Sequence, residues 1–97
     1  MIIRIVKLNF HEKHIPAFLE NFNSIQDKIR QAKGNCYLEL LQDEEDPCTF
    51  FTYSHWQTPE DLENYRNSAF FDEVWRFTKK LFNKKAEASS CISVGGC

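Results

Sequence analysis

The residues of this chain that could do chemistry fall in two stretches and one outlier. Residues 58–82 hold Tyr65, Arg66, Asn67, Phe70, Phe71 and Trp75, residues 48–57 hold Thr52, Ser54, His55 and Trp56, and Asn9 stands apart near the start. Aromatic rings with a few hydroxyl, amide and guanidinium groups among them suit a pocket for a flat apolar molecule, one that hydrogen-bonds an oxygen as it gains negative charge. His55 is the histidine beside this aromatic block and therefore the candidate general base. The small Thr52 and Ser54 alternate with the large Phe51, Tyr53 and His55, which marks one roomy and one packed face of a strand. Which face looks into a cavity stays open here, because Phe50 and Trp56 share the face of Thr52 and Ser54.

Each candidate also has a plainer use. Trp75 and the phenylalanines recur at helical spacing, as core residues do. Tyr65 on a core-facing helix position needs a partner for its hydroxyl, and such groups are common both in cores and in pockets. His55 shares its face with Phe51 and Tyr53 and fits a subunit interface as well as a base. Asn9 can simply end a strand, Arg66 can be solvated, and Glu39 among apolar strand neighbours fits a partnered interface carboxylate. His11 and His14 beside Glu12 have no third distant ligand in view, so no metal site is expected.

The elements that must position these groups follow from periodicity. Ile2–Phe10 is β-branched and partly alternating, a first strand. Ile15, Phe18, Leu19, Phe22, Ile25 and Ile29 then recur at helical spacing, with Pro16 confined to the first turn and Gly34 beyond the end. Residues 34–42 and 48–57 read as a hairpin around the polar turn 43–47. Thr58-Pro59-Glu60-Asp61 supplies a cap, a first-turn proline and acids for a short helix carrying Leu62 and Tyr65. Asn67-Ser68 breaks or recaps it, and a second amphipathic run extends from Phe70 to Phe82. Residues 86–94 fit a last strand. The order β-α-β-β-α-β is the split βαβ, ferredoxin-like α+β arrangement: a single domain over residues 1–97, a four-stranded antiparallel sheet with helices on one face. The other face, carrying Tyr37, Leu41, Phe51 and Tyr53, calls for a cover, and a second copy of the chain is the economical one.

Composition narrows the function classes. The chain has 97 residues and nine phenylalanines, more aromatic surface than one thin core needs, so part of it should line an interface or a pocket. The net charge is -2, and the one basic group (Lys79, Lys80, Lys84, Lys85) lies at a helix end, where cations complement the macrodipole. The basic footprint of a nucleic-acid binder is missing. No apolar run reaches the ~20 residues of a membrane span. The start runs directly into a strand pattern rather than a signal peptide, and the chain reads as cytoplasmic. Cys36, Cys48, Cys91 and Cys97 are widely spaced and read as free thiols in mostly apolar strand contexts.

The opening RIVKLNF, the stretch GNCYLELLQDEEDP, the block FFTYSHWQTPEDLENYRNSAFF and the late VWRFTKKLF together resemble antibiotic biosynthesis monooxygenase domains over nearly the whole chain. The resemblance implies a homodimer with facing sheets, a dimeric α/β barrel, and a cavity inside each protomer between sheet and helices. Known activities of the family include cofactor-independent oxygenation of anthrones and quinols, isomerisation of a phosphorylated sugar and haem degradation. On this basis the expectation is a monooxygenase without metal or organic cofactor, acting on a small hydroxylated aromatic. Tyr65, Asn9 and His55 are then the catalytic candidates, and Thr52, Ser54, Trp56, Arg66, Phe70, Phe71 and Trp75 the substrate contacts. The alternative is a non-catalytic dimeric binding or stress-response module of the same fold. Haem degradation is disfavoured, because Trp75 stands where the haem-degrading relatives carry their axial histidine.

Overall fold

The computed structural model describes residues 1–96, so Cys97 lies outside the described residues. Strand β1 (Ile2–Phe10) leads through a short turn of 3-10 helix into helix α1 (Ile15–Arg30), followed by β2 (Asn35–Gln42), β3 (Thr49–Trp56), α2 (Pro59–Arg66), α3 (Ala69–Lys79) and β4 (Phe82–Cys91). The strands form one antiparallel sheet in the order β2-β3-β1-β4. The β-α-β-β-α-β order expected from periodicity is present, with its second helical segment divided in two.

Local chemistry explains each boundary. Pro16 sits in the first turn of α1, where a missing N–H costs nothing. Beyond that helix Gly34 adopts φ 87°, a left-handed conformation, and any Cβ there would collide with the Asp61 side chain. Thr58 Oγ1 accepts from the Asp61 N–H at 3.0 Å and starts α2. Ser68 Oγ accepts from the Phe71 N–H at 3.1 Å and starts α3 afresh, so the Asn67-Ser68 break is a second N-cap. The second amphipathic run stops earlier than expected. Lys80 and Leu81 turn back on α3, and Phe82 already pairs with Phe10 as the first residue of β4. That strand ends at Cys91, short of the expected residue 94, and Ile92 and Val94 are exposed.

Side-chain alternation assigns the two faces. Val6, Leu8, Phe10, Leu38, Phe50 and Trp56 point toward the helices. Phe10 is fully buried, with its ring 4.2 Å from Phe18, 5.9 Å from Phe50 and 5.5 Å from Phe82. Phe22, Ile29 and Leu38 form a second cluster beneath α1. On the opposite face the strand register aligns Tyr37 with His55 and Leu41 with Phe51, and Tyr37 and Leu41 are largely exposed. This is the face on which the sequence placed Tyr37, Leu41, Phe51 and Tyr53. The described cysteines are free thiols, but Cys36 and Cys91 are exposed rather than packed as small hydrophobes. Among the described residues no helix is long and apolar enough to cross a membrane.

Replacing Phe10 by alanine is expected to cost about 3–5 kcal/mol, because it removes a ring packed on every side. Phe77→Ala, on an exposed helix position, should cost within about 1 kcal/mol. Urea unfolding midpoints at unchanged slope are the check.

Candidate active site

Between the two apolar clusters the inner face of the sheet carries small side chains. Val6 in the central strand β1 pairs with Thr52 on one side and Ala88 on the other, and Arg4 pairs with Ser54 and Ser90. With Ala86, these residues leave a floor too low to reach the helices, and a cavity of about 280 Å³ remains. Its roof comes from Phe22 and Ile25 of α1, Leu62 and Tyr65 of α2, and Phe71, Val74 and Trp75 of α3. This volume is at the lower edge of the ~300–1,000 Å³ usual for small-molecule sites, enough for two or three fused rings. Thr52 and Ser54 therefore face the helices, which settles the orientation left open by their alternation.

The wall is a continuous run of aromatic rings. Trp56 stacks on Tyr65 at 4.9 Å, Tyr65 meets Phe71 edge-on at 5.2 Å, Phe71 stacks on Trp75 at 5.9 Å, and Trp75 meets Phe82 at 5.6 Å. Such offset and edge-on pairs hold each other in place beyond their simple area burial. The Trp56 indole N–H donates to Ser54 Oγ at 3.1 Å, which fixes both at the floor.

Polar groups on this lining are few. Burial pushes the Tyr65 hydroxyl up to about 12, so it stays protonated at neutral pH and acts as a hydrogen-bond donor, not as a base. Among the described residues it has no hydrogen-bond partner. Asn21, Thr52, Ser54, Thr78, Arg4 and Arg66 also border the space, and among the described residues no carboxylate or imidazole does. Arg66, exposed at the end of α2, marks the open rim.

Of the residues singled out by sequence, Thr52, Ser54, Trp56, Tyr65, Arg66, Phe71 and Trp75 are brought together around the cavity. Three are not. Asn9 lies on the other face of β1, where its Nδ2 donates to Thr49 Oγ1 at 2.8 Å and its Oδ1 accepts from Asn83 Nδ2 at 3.0 Å. Thr49 Oγ1 in turn donates to Asp46 Oδ2 at 2.8 Å, and this hydroxyl together with the Cys48 N–H holds the Asp46 carboxyl below its ordinary pKa. Asn9 thus ties the β2–β3 turn to β4, next to irregularities in the β1–β4 ladder. His55 also points away from the helices, between Tyr37 at 5.2 Å and Tyr53 at 5.0 Å. Phe70 packs against the second apolar cluster beneath Lys28, whose Nζ is 4.9 Å from the ring centroid. Glu39 accepts from the Tyr37 hydroxyl at 2.7 Å, the partnered carboxylate that its apolar neighbours suggested.

Arg4, Asn21, Ala86 and Ala88 line the cavity without having been singled out. Arg4 had a signal: at a period of two it belongs to the core row of Val6, Leu8 and Phe10, where a charge is out of place.

A family model described as antibiotic biosynthesis monooxygenase matches residues 1–76, most of the chain. The chain belongs to the antibiotic biosynthesis monooxygenase family. Solved structures agree in fold. One antibiotic biosynthesis monooxygenase superposes with a TM-score of 0.90 at 17% identity, over 98% of this chain and 100% of its own. A candidate monooxygenase of the same description from Deinococcus radiodurans gives 0.89 at 16% identity, over 100% and 96%. A Mycobacterium tuberculosis protein gives 0.88 at 9% identity, over 98% and 96%. No curated protein matches in sequence. Within this monooxygenase family the fold is thus secure, and the site must be argued from its own residues.

Asn9→Ala is expected to lower stability by about 1–3 kcal/mol, since it strands buried partners, yet to leave ligand affinity unchanged. Thermal melts and a binding titration on the same samples separate this structural role from a catalytic one.

Proposed function

We propose that this member of the family is a cofactor-independent monooxygenase of a small, flat, hydroxylated aromatic of the anthrone or quinol type. The observation that carries the reading is a cavity of about 280 Å³ walled by the rings of Trp56, Tyr65, Phe71 and Trp75, into which a protonated tyrosine hydroxyl is set.

The substrate of such a reaction supplies its own electrons. Loss of a proton from an anthrone leaves an electron-rich anion whose ring carbon attacks dioxygen. The resulting peroxide loses water, so one oxygen atom ends on the carbon and the other in water. The protein has to bind the ring, donate a hydrogen bond to the substrate oxygen while it is negative, and limit access of bulk water. Tyr65 fits the donor role, and the aromatic wall fits the ring. Among the described residues the lining has no carboxylate or imidazole, so in this mechanism the proton leaves to water at the rim, and Asn9 and His55 take no part.

The same lack of a base favours a second reading, a module that binds such a molecule without converting it. Either reading includes a homodimer through the open sheet face. Support for that comes from the exposed Tyr37 and Leu41 and from His55, whose buried Nε2 has no partner among the described residues. Haem fits poorly, because among the described residues no histidine or cysteine lines the cavity.

Dioxygen uptake with a panel of anthrones and reduced naphthoquinones, corrected for autoxidation, is expected to exceed the buffer rate and to fall about 10- to 100-fold in Tyr65→Phe. The factor should stay constant from about pH 6 to about pH 9, because a hydroxyl raised to about 12 is protonated throughout. A factor that grew with pH would instead mark Tyr65 as a phenolate base. Binding without excess uptake across the panel would select the second reading. Light scattering should give the mass of two chains at micromolar concentration, and a clean monomer would contradict the covered face.

A further inference from the structure

Among the described residues two guanidinium groups border the cavity with no acid on its lining to balance them. Arg4 is half-buried on the inner face of β1, in the row of Val6, Leu8 and Phe10. Its Nη1 donates to Ser90 Oγ at 2.9 Å, and among the described residues it forms no ion pair. Arg66 ends α2 at the rim and among the described residues pairs only with Glu63, at 3.8 Å and exposed, a pairing of little strength. Burial first, and then repulsion by Arg66, push the pKa of Arg4 below its ordinary value. An arginine in this setting keeps its charge. A core-row position that holds a cation, on a cavity that a second cation also borders, is unfavourable in the empty protein and becomes favourable when an anion enters.

We propose that the ligand of this cavity carries an oxyanion, bound between Arg4 and Arg66 while its flat ring lies against Trp56, Tyr65 and Trp75. A planar guanidinium gives two parallel N–H donors to a carboxylate or a phenolate, which makes arginine well suited to this task. The inference rests on the reading of the cavity as the ligand site and does not require that the ligand be oxidised. The oxyanion has two possible sources, a carboxylate substituent or the ionised ring hydroxyl that reacts.

Calorimetric titration with 2-naphthoate, the neutral isostere 2-naphthylmethanol and 2-naphthol tests it. The wild-type chain should bind 2-naphthoate about tenfold or more tightly than 2-naphthylmethanol, the margin of charge-assisted hydrogen bonds. Arg4→Gln and Arg66→Gln should each remove most of that preference, weakening 2-naphthoate far more than 2-naphthylmethanol. Arg4→Lys, which keeps the charge, should restore part of it and guards against a merely structural effect. An affinity for 2-naphthol that rises as its hydroxyl ionises, with that for 2-naphthoate flat, assigns the oxyanion to the reacting oxygen. Preference for 2-naphthoate alone assigns it to a substituent. Equal binding of 2-naphthoate and 2-naphthylmethanol, or a preference that survives both glutamine variants, overturns the proposal but leaves the cavity as a ligand site. Absence of binding by all three overturns both.

Discussion

The ladder that pairs Val6 with Thr52 on one side and Ala88 on the other decides which side chains meet the helices. Once that register is set, a period of two sends Arg4, Ser54, Trp56 and Ala86 to the helix side and Ile3, Ile5, Tyr53 and His55 to the open side. A slip by one residue would exchange the two sets, filling the interior with tyrosine and histidine and exposing Leu8 and Phe10. Burial of those large side chains therefore protects the register, and the register in turn builds the cavity.

A hollow in a chain this small is unfavourable unless its ends are well packed. Here the ends are. Phe10 with Phe18, Phe50 and Leu81 closes one, and Phe22 with Ile29 and Leu38 closes the other. Between them the aromatic run from Trp56 to Trp75 bridges α2, α3 and the sheet without occupying the space it encloses. The same rings that roof the cavity also keep Tyr65 away from water and protonated, so packing and chemistry are set by one group of contacts.

Much of this was legible in the sequence, for definable reasons. Long elements with a clear period (Ile2–Phe10, Ile15–Arg30, Thr49–Trp56) declare themselves, and the hydroxyls of Thr58 and Ser68 declare where α2 and α3 begin. The ends of β4 were less legible, because Leu81 and Phe82 continue a helical spacing and yet serve as the plug beneath Phe10, a tertiary demand with no local sign. Asn9 was drawn into the candidate site by its chemistry, although alternation puts it with Ile3 and Ile5. Its partners, Thr49 and Asn83, are distant in sequence and could not be foreseen. Arg4 was the opposite case, a charge whose position in the core row marked it plainly while its neighbours made it look like a strand residue facing water.

The central claim is that ligands enter the space between helices and sheet and not the open face. Methyl-resolved NMR during titration with a small aromatic tests this most directly, because alanine and isoleucine methyls report on both sides of the sheet. Ala86, Ala88, Ile25 and Ile29 are expected to shift with one saturating curve while Ile3 and Ile5 stay still. Shifts confined to Ile3 and Ile5, with the cavity methyls unmoved, would contradict it.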